Sequence, residues 1–61
     1  MATKAQIKNM MKIHVEDCRD SLTGEINYTL LAEKAADDLN LYIGSDYTIP
    51  EIVFEIALNF K

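Results

Sequence analysis

Thr48-Ile49-Pro50-Glu51-Ile52-Val53-Phe54-Glu55-Ile56-Ala57-Leu58-Asn59-Phe60 is the stretch on which the fold turns, because its residues fit two different periods. Ile52, Phe54, Ile56, Leu58 and Phe60 alternate with Val53, Glu55, Ala57 and Asn59, as the two faces of a strand would. Against this, Thr48-Ile49-Pro50-Glu51 has the composition of a capping box with proline in the first turn, and Tyr47 and Ile52 stand at the staple positions on either side of it. Leu41-Tyr42-Ile43 is too short to serve as a second long strand. The reading therefore favours a helix over 49–60 and an all-α, three-helix domain; the alternative is an α+β domain with this segment as a strand.

As a helix the segment is apolar on nearly every side, with Glu51, Glu55 and Asn59 forming one polar ridge at i, i+4 and i+8. Two short helices cover only part of such a surface. Phe54 and Leu58, or Ile56 and Phe60, are thus expected to face a partner. The competing reading is a central helix wrapped by its own domain.

Working outward, two more helices precede it. Over 3–21, Ile7, Met11, Cys18 and Leu22, flanked by Met10, His14 and Val15, fall on one side at 100° per residue, with Thr3 as N-cap and Thr23-Gly24 as the closing turn. Over 28–40 strong helix formers follow a cap at Asn27 or Thr29, and Tyr28, Leu31, Ala32, Ala35 and Leu39 make a buried stripe. Alanines there should let a neighbouring helix approach closely. The expected core is Ile7, Met11, Val15, Cys18, Leu22, Leu31, Ala35, Leu39, Ile52, Val53 and Ile56.

A chain of 61 residues is one domain of marginal stability, burying roughly 60% of its unfolded surface, so reinforcement by a partner or a second copy is expected. With nearly half the residues apolar and only two Gly and one Pro, it is globular and not disordered. The single Cys18 cannot form an internal disulfide, and Met1-Ala2-Thr3-Lys4 lacks the apolar run of a signal peptide. A complete cytoplasmic product is the expectation. No stretch approaches the roughly 20 apolar residues of a membrane helix, so no membrane partner is expected.

The net charge of −4 weighs against non-specific nucleic-acid binding, but its distribution is uneven: residues 1–19 carry +2 and residues 20–61 carry −6. Lys4, Lys8 and Lys12 form a row at i, i+4 and i+8, with Arg19 near the same azimuth, about 80° from the apolar stripe of the first helix. This basic edge is a second candidate surface, for a phosphate backbone, an acidic protein or the acidic half of a second copy. A solvated face that keeps the domain soluble is the bland alternative. Glu25, Glu33, Asp37, Asp38, Asp46, Glu51 and Glu55 are a modest supply for mimicry of nucleic-acid phosphates and serve equally as solubilising surface.

Motifs for chemistry are thin. His14 and Cys18, spaced i, i+4, could reach one metal or make an activated thiol, but two ligands do not complete a zinc site and no Gly-rich turn supplies an oxyanion hole. Gly24-Glu25-Ile26 suits the middle of an EF-hand loop, yet that register puts Arg19 first and Leu30 twelfth, where calcium requires carboxylates. Leu30-Leu31-Ala32-Glu33-Lys34-Ala35 has the look of the first helix of a helix-turn-helix, but the connection from Leu39 to Pro50 is too long and the next helix presents Glu51 and Glu55. No metal, cofactor or catalysis is expected. The function read from the sequence is a protein-interaction module, self-associating or binding a protein partner, through Phe54, Ile56, Leu58 and Phe60; the alternative is a nucleic-acid-associated regulator using Lys4, Lys8, Lys12 and Arg19.

Overall fold

The computed structural model describes residues 3–60; Met1, Ala2 and Lys61, and the side chain of Ser45, lie outside the description. Three helices account for the regular structure: α1 (Lys4–His14), α2 (Tyr28–Leu39) and α3 (Glu51–Leu58), with single 3₁₀ turns at Val15–Cys18 and Gly44–Asp46. Within the 49–60 segment Glu51–Leu58 is helical, two residues shorter at each end than expected, and the strand reading is overturned. Val53, Ile56 and Ala57 are buried on one side of α3, a 3.6-residue period hidden within the alternation.

Local chemistry sets the helix starts. Thr3 caps α1 with its hydroxyl, which accepts from the Gln6 N–H at 3.2 Å, while the Gln6 side chain accepts from the Thr3 N–H at 2.8 Å, closing a capping box. Asn27 caps α2 by accepting from the Leu30 N–H at 3.1 Å. That helix ends at Asn40, left-handed at φ 54°, where the Leu41 N–H returns to the Ala36 carbonyl at 2.9 Å in the pattern of a Schellman motif.

The first helical segment stops short of 21. After Cys18 the chain turns extended at Arg19, whose backbone bridges antiparallel to Ile26. Asp20 causes the reversal: its carboxylate accepts from the Leu22 N–H at 2.7 Å and the Thr23 N–H at 3.4 Å, and Gly24 follows at φ 76°. Leu22, expected in the core, therefore stands at the tip of a loop and is 94% exposed. The Thr48 capping box is not formed either. Thr48 pairs its backbone with Ile43, accepting from the Ile43 N–H at 2.7 Å, and α3 opens at Pro50 without a side-chain cap. Tyr47 does not act as a staple; it lies left-handed at φ 55° with its side chain 77% exposed, a backbone state that costs a non-glycine residue of order 1–3 kcal/mol.

The core sits where α2 is enclosed by the other two helices. Leu31, Ala32 and Ala35 of α2 are fully buried and cluster with Ile7, Met11, Val15 and Cys18 from the first part of the chain and with Val53, Ile56 and Ala57 of α3; Ala36 is fully buried as well. Ala36 takes the place expected for Tyr28, which lies at the edge; Leu39 and Ile52 are half-buried against the core, not inside it. Leu31→Ala is expected to cost about 2–5 kcal/mol, enough to unfold most of a domain this small, whereas Leu22→Ala should stay within about 0.5 kcal/mol of the parent. Urea denaturation followed by circular dichroism checks both values.

Candidate functional site

The structure disperses the residues proposed for partner binding on α3. Ile56 is a core residue, Phe54 and Phe60 are half-buried against the core, and Leu58, 65% exposed, is the one left largely free. Instead, an apolar groove of about 620 Å³ opens beside the connection between α2 and α3. It is lined by Ile7 of α1, by Leu39, Asn40, Leu41, Tyr42 and Ile43 at the end of α2 and in the connection, and by Pro50, Ile52 and Val53 at the start of α3. Ile43 stands 57% exposed among these residues.

The connection makes this groove because its backbone needs are met locally. The left-handed Asn40 turns the chain away from α2, and the Ile43–Thr48 bridge ties the two ends of the following loop. Three large apolar residues, Leu41 to Ile43, are thus held outside any helix, and among the described residues no acid, imidazole, thiol or cation lines the groove with them. Such walls suit the burial of apolar side chains. Across Tyr42 lies a second, smaller notch bounded by Glu33, Asp37, Tyr42, Tyr47 and Ile49.

The basic edge is shorter than the spacing implied. Lys4, Lys8 and Lys12 are exposed along α1, but Arg19 lies beyond the helix, its guanidinium donating to the Gly24 carbonyl at 3.3 Å with Nε 3.6 Å from Glu16. Lys4 and Lys8 border a shallow groove shared with Ile52, Glu55, Ile56 and Asn59, so a carboxylate of α3 stands beside the first two lysines and lowers the local positive potential.

His14 and Cys18 do not act together. His14 directs Nε2 to the Asp38 carboxylate, joining the end of α1 to α2. Cys18 is buried in the core, and burial pushes its thiol above the ordinary value of 9.0, with Lys34 opposing the shift and Asp17 adding to it. Among the described residues no group of three or more His, Cys, Asp and Glu is placed to hold a metal ion, and no helix is long and apolar enough to cross a membrane. Comparison with protein-family models, with curated proteins and with solved structures returned no match.

The thiol gives a direct check on this packing. Because the folded state favours the neutral form, the stability it provides is present below the ordinary thiol value and is lost as pH rises beyond it. The stability gap between the parent and Cys18→Ala should therefore narrow above pH 9.0. At neutral pH an aromatic disulfide reagent should label Cys18 far more slowly in the folded chain than in urea, and equal rates would contradict its burial.

Proposed function

We propose that the chain is a small, acidic, non-catalytic protein-interaction module that self-associates through the apolar groove between α2 and α3, and that it works in the cytoplasm, where a lone thiol stays reduced. The observation that carries this reading is the groove itself. Eight apolar side chains from three parts of the fold line it; Ile7 and Val53 are buried core residues, and Ile43 is more than half exposed. A domain of this size gains proportionally more than a large one from covering such a surface. The uneven charge adds support, since the basic edge of one copy attracts the acidic α2 of another and orients their approach.

The groove's composition supports binding in preference to chemistry, because catalysis by acid, base or nucleophile needs ionisable groups converging on one point and none of the acids, imidazole or thiol lines it. Nothing in the placement of Lys4, Lys8 and Lys12 favours the nucleic-acid alternative.

Solution mass by light scattering over a hundredfold concentration range tests the reading. The parent should rise from 6.9 kDa towards twice that value. Ile43→Asp should hold the mass at the monomer value while leaving the helical circular dichroism unchanged, since its side chain is already largely in solvent. A parent mass that stays at the monomer value throughout, or an Ile43→Asp mass that rises like the parent's, would refute self-association through this groove.

A further inference from the structure

We infer that the occupant of the apolar groove is the 20–24 loop of a second copy, with Leu22 entering the space beside Ile43; this docking rests on the self-association reading and fixes its geometry. Leu22, at 94%, is the most exposed large apolar side chain among the described residues. Hydrogen bonds hold its loop in shape. The Asp20 carboxylate accepts from the Leu22 and Thr23 N–H groups, the Gly24 N–H donates to the Asp20 carbonyl at 2.8 Å, and the Asp20 N–H donates to the Glu25 carbonyl at 2.7 Å. Turns of this kind ordinarily take Ser, Asn, Asp or Gly. A leucine fixed at the tip adds nothing to its own core, yet it meets a partner with little further loss of backbone freedom.

Leu22 cannot fill the groove of its own chain. Ile7 near the start of α1 and residues 39–43 at the end of α2 line the groove, whereas the loop joins the opposite ends, where the Asn27 N–H donates to the Cys18 carbonyl at 2.8 Å. The contact is therefore made between copies. One leucine in one groove falls well short of the roughly 1,000 Å² that a specific interface buries. Two copies laid antiparallel make the contact twice, each loop in the other's groove, about a two-fold axis. Charge favours the same arrangement. Residues 16–25 hold Glu16, Asp17, Asp20 and Glu25 against Arg19, a net −3, while residues 3–12 hold Lys4, Lys8 and Lys12 and no acid. Ile7 lines the groove between Lys4 and Lys8 in sequence, and Ile52 borders both the groove and those two lysines. Of the acids nearest the groove in sequence, Asp38 is already paired with His14, and Glu51 stands on the α3 side. The acids of the incoming loop are thus drawn to the α1 rim and turned from the α3 rim.

The test joins mass to contacts. Leu22→Ser suits the turn and leaves the core untouched, so its helical circular dichroism should match the parent's while its dimer dissociation constant rises at least about tenfold, the equivalent of one buried leucine. Leu22→Met, apolar and of similar volume, should stay closer to the parent than to Leu22→Ser. In dimers that mix ¹³C-labelled and unlabelled copies, isotope-filtered nuclear Overhauser spectra should connect the Leu22 methyls of one copy to Leu41 and Ile43 of the other. A Leu22→Ser chain that dimerises like the parent would overturn this docking, as would intermolecular contacts that join Ile43 to Ile43 and none to Leu22. Both results leave self-association through the groove standing when Ile43→Asp is monomeric. A parent that stays monomeric at every concentration removes both readings together.

Discussion

Close approach to α2 is the constraint on which the rest of the structure depends. Three of its four fully buried residues are alanines, and the four together span an arc of roughly 140° that must accept α1 on one side and α3 on the other. A methyl group at those positions brings helix axes together and lets Met11, Leu31 and Val53, the largest fully buried side chains, fill the remaining volume. Because α3 has only eight residues, it has little helix-forming strength of its own and takes its conformation from this docking. A larger residue at Ala32 or Ala35 would push one partner away, at about 1–3 kcal/mol.

The connection between α2 and α3 inherits its shape from the same packing. With both helices fixed against the alanine face, the chain between Leu39 and Glu51 spans the gap through three residues of positive φ, Asn40, Gly44 and Tyr47, and one short backbone bridge. Asparagine tolerates that backbone; tyrosine pays for it. The result is a loop in which Leu41 packs against the core while Ile43 stands more than half exposed. The apolar groove therefore rests on a segment positioned by rigid helices, the usual arrangement for recognition loops.

Where the sequence declared the fold, it did so through local chemistry. Thr3 and Asn27 carry side chains whose short reach to the third residue on defines a helix start, and both cap as expected. The three-helix class follows from those starts together with the period of Val53, Ile56 and Ala57. Leu22 misled because the i, i+4 spacing from Cys18 continues past the point where Asp20 captures the backbone, and periodicity does not register that competition. Thr48 misled in a similar way: its capping composition is real, but its backbone is committed to Ile43. The groove was the least legible feature, since Leu41-Tyr42-Ile43 lies in no periodic element and its only mark in the sequence is three large apolar residues between Asn40 and Gly44.

The alanine-faced junction is tested most directly by methyl nuclear Overhauser measurements on a selectively labelled sample. The account predicts contacts linking the Val53 and Ile56 methyls to Leu31 and Ala35, and Met11 to the same alanine face, together with sequential amide contacts along 51–58. Absence of those interhelical contacts, or α-proton contacts of the cross-strand type within 52–60, would contradict it.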